Sequence, residues 1–177
     1  VIMAKNIISL IGMMGSGKSS LGVAVAQNLS FNFIDLDNLI EQKEKLSINK
    51  IFQHKGSEYF RLIEKNILKE TIFNNNNTVI ATGGGAILDE ENRKILKEKT
   101  KSVYLETSLE VLEARLIVDK DRPLLADKQN LSKTLQDIYA KRRKLYEEAE
   151  HKISTDINDI DILVKEILNK INGKSNS

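Results

Sequence analysis

Short apolar runs alternate with longer amphipathic stretches along most of the chain. The short runs are rich in β-branched residues, which favours buried strands. They are residues 6–11, 31–34, 78–81, 102–105 and 152–155. Between them, apolar positions recur with helical spacing over residues 18–29, 37–45, 57–72, 108–117, 131–150 and 159–171. Ser47, Asp89 and Ser108 are placed to cap helices, and Gly56 interrupts the helical pattern.

This alternation predicts an α/β fold, a three-layer sandwich with a central five-stranded parallel sheet. The 177 residues, 41% of them apolar, suit one core of ordinary size, so we expect a single domain over residues 1–171. Residues 118–130 are charged and hold the only proline, Pro123, which indicates a mobile loop. Residues 172–177 are expected to be a disordered tail.

Charge and cysteine content exclude several classes of partner. The 27 Lys and Arg residues against 25 Asp and Glu leave a formal charge of +2, spread along the chain, which argues against nucleic acid. Without cysteine there is no disulfide framework, thiolate zinc site or cysteine nucleophile, which fits a reducing compartment. The apolar run at residues 7–11 is too short to span a membrane. We therefore expect a soluble cytoplasmic protein with no membrane partner, and nothing requires more than a monomer.

Glycine and arginine are unevenly distributed. Of nine glycines, four lie between residues 12 and 22 and three are consecutive at residues 83–85, so two loops hold most of the backbone freedom. Lysine supplies most of the positive charge, so each arginine favours a role for the planar, bidentate guanidinium. The six arginines are Arg61, Arg93, Arg115, Arg122, Arg142 and Arg143.

The first glycine cluster forms a phosphate-binding motif. Residues 12–19, Gly-Met-Met-Gly-Ser-Gly-Lys-Ser, satisfy the pattern G-x-x-x-x-G-K-[ST] between a predicted strand and a predicted helix. Glycines let backbone N–H groups converge on phosphate oxygens, and the helix start adds its positive end. We expect Lys18 to reach the β and γ phosphates and Ser19 to ligate Mg²⁺. The alternative is a glycine-rich turn with a chance lysine.

Two aspartates follow the second predicted strand. Asp35 and Asp37 lie two positions apart at its carboxyl end, where ligands bind in open α/β sheets. In an extended backbone both carboxylates would point to one side and serve Mg²⁺ and an acceptor hydroxyl. The alternative is that Asp37 merely caps the next helix. The third predicted strand ends without the carboxylate that often holds magnesium in such ATPases, which leaves Asp35 as the substitute.

Two further patterns concern the acceptor. Three consecutive glycines after the third strand, residues 83–85, favour close approach of a ligand to the backbone. Arg61 and Glu64 share one face of a predicted helix at i, i+3 spacing, and a surface ion pair is the simplest interpretation of that pair alone.

Together these motifs resemble the shikimate kinase family. The resemblance covers about residues 6–155 and rests on the phosphate loop, Asp35-x-Asp37, Gly56-x-Glu58-x-Phe60-Arg61-x-x-Glu64, Thr82-Gly83-Gly84-Gly85, Arg122-Pro123-Leu124-Leu125 and the segment from Ala140 to Tyr146. It implies a P-loop kinase fold with a mobile lid at about 118–130 and substrate-binding helices at about 37–72. It also implies transfer of the ATP γ-phosphate to the 3-hydroxyl of shikimate, with Mg²⁺, in chorismate and aromatic amino acid biosynthesis.

The resemblance implies roles for individual residues as well. The ATP-binding residues would be Gly12, Met13, Met14, Gly15, Ser16, Gly17, Lys18, Ser19, Ser20, Arg115 and Arg122. Arg115 would stack on adenine, and Arg122 would swing from the lid onto the transferring phosphates. Asp35 would act on Mg²⁺ through water, together with Ser19. Lys18, Asp37 and Arg122 would be the catalytic residues.

For the acceptor, the resemblance implies that Asp37 holds the shikimate hydroxyls and assists deprotonation. Arg61 and Arg142 would bind the carboxylate, and the backbone of Gly83, Gly84 and Gly85 would close the pocket. Arg143 adjoins the matched position and leaves the register open, with Arg142 preferred. Phe60 is either a pocket wall or a core residue, and Met13 and Met14 are expected to pack. Arg93 is interpreted as a surface helix residue.

Two rival functions stay open at this point. One is another small-molecule kinase of the same fold, for gluconate or a nucleoside monophosphate. A nucleotide acceptor calls for base and phosphate recognition, whereas two arginines beside a glycine wall suit one carboxylate. The other is a nucleotide-binding regulatory switch with little turnover, which would bind or hydrolyse ATP whether or not shikimate is present.

Overall fold

Parallel strands form the centre of the molecule. The computed structural model describes residues 6–118 and 130–173, and the strands in this part of the chain are β1 Ile7–Ile11, β2 Asn32–Asp35, β3 Thr78–Ala81, β4 Lys101–Glu106 and β5 His151–Ser154. They form one parallel sheet in the order β2-β3-β1-β4-β5. The predicted five-stranded parallel sheet is therefore confirmed.

Helices cover both faces of this sheet. They are α1 Lys18–Leu29, α2 Leu36–Glu44, α3 Ile48–Asn74, α4 Glu90–Lys99, α5 Leu109–Ile117, α6 Leu131–Tyr146 and α7 Ile160–Ile171, with a short 3₁₀ helix at Ala86–Leu88. Alternate residues of β1 point to opposite faces, Ile7 and Ile11 into one core and Ile8 and Leu10 into the other. The first core is closed by α2 to α6 and the second by α1 and α7, which confirms the three layers.

Polar caps determine where several helices begin. The side chains of Ser47, Asp89 and Ser108 accept hydrogen bonds from the backbone N–H three residues onward, at the first turns of α3, α4 and α5. These are the capping residues that the sequence predicts. Gly56 lies inside α3 with φ 83° and ψ 170°, so the helix is kinked where glycine was expected to interrupt it.

Three segments differ from the prediction. Helix α6 ends at Tyr146 and not at residue 150, because β5 already begins at His151 and the intervening residues form turns back onto the helix end. The 3₁₀ helix after the glycine loop was not predicted. At the C-terminus, residues 172 and 173 form a turn after α7, while residues 174–177 lie outside the described part.

The predicted lid, residues 118–130, lies outside the described residues except for its two ends, and Arg122 lies outside them with it. Within the described ranges, no helix combines the length and the apolar character that a membrane crossing requires.

Candidate active site

A cleft of about 790 Å³ opens at the carboxyl ends of β1, β2 and β3. This is the edge at which parallel α/β sheets bind ligands, because loops and helix N-termini converge there. The cleft is lined by residues from separate parts of the chain, among them Met14–Leu21, Asp35, Asp37, Phe60, Arg61, Glu64, Thr82–Gly85, Arg115, Arg142, Thr155 and 157–160. The structure thus brings together almost all of the predicted site residues that it describes.

Hydrogen bonds between the Lys18 side chain and backbone carbonyls of the same loop hold the phosphate loop in shape. Lys18 Nζ donates to the carbonyl oxygens of Gly12 at 2.9 Å and Met13 at 2.8 Å. Gly15 and Gly17 adopt φ of 80° and 93°, which side chains with a Cβ disfavour, so glycine is required at these turns. The loop therefore turns tightly just before α1, where the unbonded backbone N–H groups of a helix start and its positive end favour an anion.

Both methionines of the loop pack, but in different places. Met13 is 2% exposed and belongs to the first core, which places its side chain away from the cleft. Met14 is partly buried against the same core and lines the cleft. Of the predicted nucleotide contacts, Met13 therefore has only its backbone to offer.

Arg115 joins the phosphate loop to the strand end beside it. Its guanidinium donates to the carbonyl oxygens of Gly15 at 3.2 Å and Thr155 at 2.7 Å. The Thr155 hydroxyl in turn lies 3.2 Å from the carbonyl oxygen of Ser16 and 2.6 Å from the hydroxyl of Thr107. These bonds form one side wall of the cleft at the C-terminal end of β5.

Asp35 and Ser19 form a polar pair beside the phosphate loop. The Ser19 hydroxyl donates to Asp35 Oδ2 at 2.5 Å. Asp35 Oδ1 accepts from the backbone N–H of Asp37 at 3.0 Å and Asn38 at 3.2 Å. Asp35 is therefore the N-cap of α2, and the alternative that Asp37 caps this helix is wrong. Helix α2 already starts at Leu36, so the two carboxylates sit on a strand end and a helix start.

The Ser19 and Asp35 pair suits a magnesium ion. Mg²⁺ is usually held by one or two protein oxygens, with waters and substrate phosphates completing its shell. A hydroxyl and a carboxylate beside a phosphate loop meet this requirement. A site built of three or more carboxylates or histidines is not found among residues 6–118 and 130–173. These two residues could therefore hold a metal ion that arrives with a nucleotide.

Arg61 and Glu64 form an ion pair at the cleft wall, with Arg61 Nη1 2.5 Å from Glu64 Oε2. The expectation of an ordinary surface pair is wrong, because the Glu64 side chain is 1% exposed. Burial raises the pKa of Glu64, while the neighbouring Arg61 guanidinium acts in the opposite direction. Glu64 Oε1 is buried with no hydrogen-bond partner among the described residues, so this oxygen could still accept from a ligand.

The three glycines leave room for these charged side chains. A Cβ at Gly83 would lie 2.7 Å from Glu64 Oε1 and 2.9 Å from Asp37 Oδ1. A Cβ at Gly85 would collide with the guanidinium of Arg61. None of the three has a positive φ, so the demand for glycine at Gly83 and Gly85 comes from space and not from backbone conformation, while a Cβ at Gly84 would meet no atom closer than 3.5 Å. The loop is therefore a bare backbone wall against which charged groups pack.

The adjacent arginines of α6 have different surroundings. Arg142 is half-buried and lines the cleft, and a Cβ at Gly84 would lie 3.6 Å from its Nη1. Arg143 is exposed and pairs with Glu147 at 3.2 Å on the same helix. Only Arg142 is therefore within reach of a ligand that fills the cleft.

Two predictions about single side chains are resolved by packing. Phe60 is 4% exposed, lies 4.6 Å from the Phe52 ring and also lines the cleft, so it is both a core residue and a pocket wall. Arg93 is not a plain surface residue. It donates to the carbonyl oxygens of Ile87 and Leu88 and pairs with Glu148, which fastens the 3₁₀ helix to the end of α6.

Sequence reasoning did not assign Glu64 and Tyr146 to the site. Glu64 contacts Arg61 directly, and the Tyr146 hydroxyl donates to the Gly84 carbonyl oxygen at 2.6 Å. The available signal was spacing, since Glu64 follows Arg61 by three residues and Tyr146 follows Arg142 by four, which places each pair on one helix face. Spacing alone does not say that the shared face is buried.

Comparison with known proteins identifies the family. The family model described as shikimate kinase matches residues 14–172. This chain belongs to the shikimate kinase family. A shikimate kinase of Persephonella marina is 41% identical over 164 residues, which is 93% of this chain and 98% of the relative.

Solved shikimate kinases have the same fold. The enzyme from Acinetobacter baumannii, described as a complex with shikimate, superposes with a TM-score of 0.90 at 36% identity, over 98% of this chain and 97% of that one. The enzyme from Bacteroides thetaiotaomicron also has a TM-score of 0.90, at 32% identity, over 94% of this chain and 98% of that one. The predicted resemblance to shikimate kinases is confirmed. Membership of this family also favours an ATP-dependent kinase over the alternative of a nucleotide-binding regulatory switch.

Proposed function

We propose that this protein transfers the γ-phosphate of ATP to the 3-hydroxyl of shikimate, yielding shikimate 3-phosphate and ADP. The observation that carries this proposal is the shape of the cleft. At one end lies a phosphate loop, and at the other two arginines flank a wall of three glycines. A small acid fits between them with its carboxylate toward the arginines and a hydroxyl toward the phosphate loop.

At the phosphate end, the loop backbone and the start of α1 bind the β and γ phosphates. Lys18 supplies a positive charge to the same oxygens once a nucleotide displaces its bonds to Gly12 and Met13. Ser20, exposed in the first turn of α1, also lines this end of the cleft. Arg115 lies beside the C-terminal end of β5 and lines the cleft, and an adenine ring would stack on the plane of its guanidinium.

Ser19 and Asp35 would hold Mg²⁺, with Asp35 acting through a bound water. The ion would neutralise charge on the nucleotide phosphates. The carboxylate of Asp35 is already oriented for this role. Its Oδ1 is fixed by backbone N–H groups at the start of α2, and its Oδ2 points to the Ser19 hydroxyl.

At the acceptor end, Arg61 and Arg142 bind the carboxylate of shikimate. A guanidinium offers two parallel N–H donors, so a pair of them fixes the angle of a small planar acid. Asp37 lies close to Gly83 and lines the same cleft as the phosphate loop, and there it would hold the ring hydroxyls and accept the proton of the attacking one. Glu64 keeps Arg61 in place and has one oxygen left for a ligand.

Arg122 is proposed to act from a lid over residues 118–130. The support is the resemblance of its sequence surroundings, since it lies outside the described residues. An arginine that approaches the γ-phosphate as charge moves would accelerate transfer without binding the acceptor.

A coupled ADP-release assay tests the proposed function. With ATP and Mg²⁺, we expect ADP release to depend on shikimate, and ³¹P NMR of the product to show a phosphate ester at the 3-position. Equal ADP release with gluconate or a nucleoside monophosphate would overturn the proposal.

Omission of the metal, and its replacement by Ca²⁺, tests the requirement for Mg²⁺. The predictions of a monomer and of a cytoplasmic location are checked separately, by light scattering and by cell fractionation.

A further inference from the structure

Thr155 directly follows β5 and is held in place by the sheet. Its backbone N–H donates to the carbonyl oxygen of Glu106 at 2.8 Å, which continues the pairing of β5 with β4 by one residue. Its own carbonyl oxygen accepts from Arg115 at 2.7 Å, and the residue is 1% exposed. The position of the Thr155 hydroxyl is therefore fixed by elements outside the phosphate loop.

That hydroxyl lies between Thr107 and the phosphate loop. It is 2.6 Å from the hydroxyl of Thr107, 3.2 Å from the carbonyl oxygen of Ser16 and 3.5 Å from that of Glu106. A hydroxyl has one hydrogen to donate, and a carbonyl oxygen can only accept. Both hydroxyl hydrogens are used when Thr107 donates to Thr155 and Thr155 donates to Ser16, the nearer of the two carbonyls. The sheet thus supplies a donor to the backbone of the loop.

The bond to Ser16 also determines the direction of the next N–H in the loop. The peptide bond between Ser16 and Gly17 is planar and trans, so the Ser16 carbonyl and the Gly17 N–H point in opposite directions. Gly17 is the N-cap of α1, and its N–H is one of those for which a helix offers no partner. Because glycine is conformationally permissive, this peptide could turn its oxygen toward an anion if nothing held it.

The β-phosphate is the group that this N–H would meet. Backbone N–H groups of a phosphate loop surround the α and β phosphates of a nucleotide. Gly17 directly precedes Lys18, which is expected to reach the β and γ phosphates. A Ser16 carbonyl turned toward these oxygens would repel them, whereas a carbonyl bonded to Thr155 leaves the N–H for them.

We propose that Thr155 is a positioning residue for the nucleotide phosphates. Through its hydroxyl it holds the Ser16 carbonyl, and so directs the Gly17 N–H to the β-phosphate. This inference rests on the proposed function in one respect, because it takes residues 12–19 as the site of the ATP phosphates.

Two pairs of proteins isolate the hydroxyl. Wild type and Thr155→Val differ by the hydroxyl against a methyl group, and Thr155→Ser and Thr155→Ala differ by the hydroxyl alone. Isothermal titration calorimetry should show a Kd for ADP that is about three- to tenfold higher without the hydroxyl in each pair, as for loss of one hydrogen bond. Thr155→Ser should restore the Kd to within about twofold of wild type, because it keeps the donor.

AMP separates an effect on the phosphates from an effect on the base. Inhibition constants of ADP and AMP are measured against ATP. Because AMP lacks the β-phosphate, its constant should rise by less than about twofold in Thr155→Val, while that of ADP rises about three- to tenfold. KM for shikimate should stay within about twofold, because the acceptor end is built from other segments.

Thr100→Val is the matched control for stability. The Thr100 hydroxyl is also buried, donates to the carbonyl oxygen of Leu96 at 2.6 Å and lies 2.6 Å from the hydroxyl of Ser9. It precedes β4, at the edge of the sheet opposite the cleft. Thr100→Val should therefore lower the melting temperature about as much as Thr155→Val does, with the Kd for ADP unchanged.

Three outcomes would overturn the inference. An unchanged Kd for ADP in Thr155→Val and Thr155→Ala would mean that the hydroxyl does not position the loop. Equal weakening of ADP and AMP would place its effect at the base. An equal rise of the Kd in Thr100→Val would reduce it to general stability.

Failure of the proposed function gives a different result. If the wild type binds ADP and shows the effects of the Thr155 variants, but releases ADP from ATP without shikimate, the proposed acceptor is wrong and the inference stands. If the wild type does not bind ADP, both are wrong.

Discussion

The two ends of the cleft are built in different ways. The phosphate loop at one end is a single continuous stretch, residues 12–19, and its Lys18 is bonded to carbonyl oxygens of the same loop. The acceptor end is assembled from four distant segments, which contribute Asp37, Arg61 with Glu64, Gly83–Gly85, and Arg142 with Tyr146. The phosphate loop depends on the correct folding of one segment, whereas the acceptor end forms only when α2, α3, α6 and the end of β3 pack together.

The two ends also differ in how charge is managed. Backbone N–H groups of the phosphate loop carry only partial charges, which need no opposite charge from another segment of the chain. At the acceptor end, full charges face one another around a backbone wall, and Glu64 is almost completely buried. Buried charges are costly unless paired, and Arg61 accordingly already has a carboxylate partner, Glu64, in the absence of a ligand. Changes at the phosphate end should therefore affect turnover, and changes to the arginines and to Glu64 at the acceptor end should affect affinity and stability. Asp37 is the exception at the acceptor end, because its proposed role is in phosphoryl transfer itself.

The largest effect is expected at the phosphate end. Lys18→Ala removes the charge that we propose stabilises the transferring phosphoryl group, so kcat should fall by several orders of magnitude while the protein stays folded. Steady-state kinetics and circular dichroism check this, with Lys94→Ala on the exposed side of α4 as the control. Activity within a few-fold of wild type would show that the loop is not the phosphate site.

Substitutions of the two aspartates beside the loop should have different effects. Asp37→Asn removes the carboxylate that we propose accepts the proton, so phosphoryl transfer should drop by about 10²–10⁴-fold while ATP binding is kept. Asp35→Asn should instead raise the Mg²⁺ concentration needed for half-maximal activity. Magnesium titrations of both variants measure the difference. Identical curves would mean that the two roles are misassigned.

A smaller effect is expected for the arginine at the acceptor end. Arg61→Lys keeps the charge but loses the planar fork, so shikimate binding should weaken by about 1.5–3 kcal/mol, with ATP binding unchanged. Isothermal titration calorimetry measures both. Arg143→Lys is the control, because Arg143 is exposed and pairs with Glu147. Loss of shikimate binding in Arg143→Lys and not in Arg61→Lys would mean that the shikimate carboxylate binds near Arg143, on the exposed side of α6, and not at Arg61.

The smallest effect concerns stability and pH. Burial raises the pKa of Glu64 above its ordinary value of 4.5. Between the unfolded and the folded pKa, the folded protein holds a proton that the unfolded chain has lost. The contribution of this carboxyl to stability is therefore complete below about 4.5 and falls as pH rises, by at most about 1.4 kcal/mol per pH unit.

Glu64→Gln should remove that pH dependence, because glutamine does not titrate. Urea denaturation of wild type and variant between pH 4 and 8 gives the difference in unfolding free energy. Glu58→Gln, exposed on the same helix, is the control and should follow the wild type. A difference that grows in favour of the wild type with rising pH would mean that the Arg61 charge outweighs burial.

Local signals in the sequence predicted the local structure around residues 12–19 well, and the packing of the residues at the acceptor end only in part. The loop at residues 12–19 and the caps at Ser47, Asp89 and Ser108 depend on neighbours in the chain, so their pattern is visible without a fold. The end of α6 was predicted too late, because the signal that stops it is the start of β5 and not a residue in the helix. The single domain over residues 1–171 and the lid stay predictions.

By itself the sequence determined the alternation of strands and helices, the phosphate loop and the positions of the arginines. Each of these follows from spacing and residue type within a few positions. The tertiary structure decided the rest: that Asp35 and not Asp37 caps α2, that Glu64 is buried, and that Arg142 and not Arg143 faces the cleft. Burial and the direction of a side chain depend on which helices pack together, and packing is a property of contacts between residues far apart in the chain.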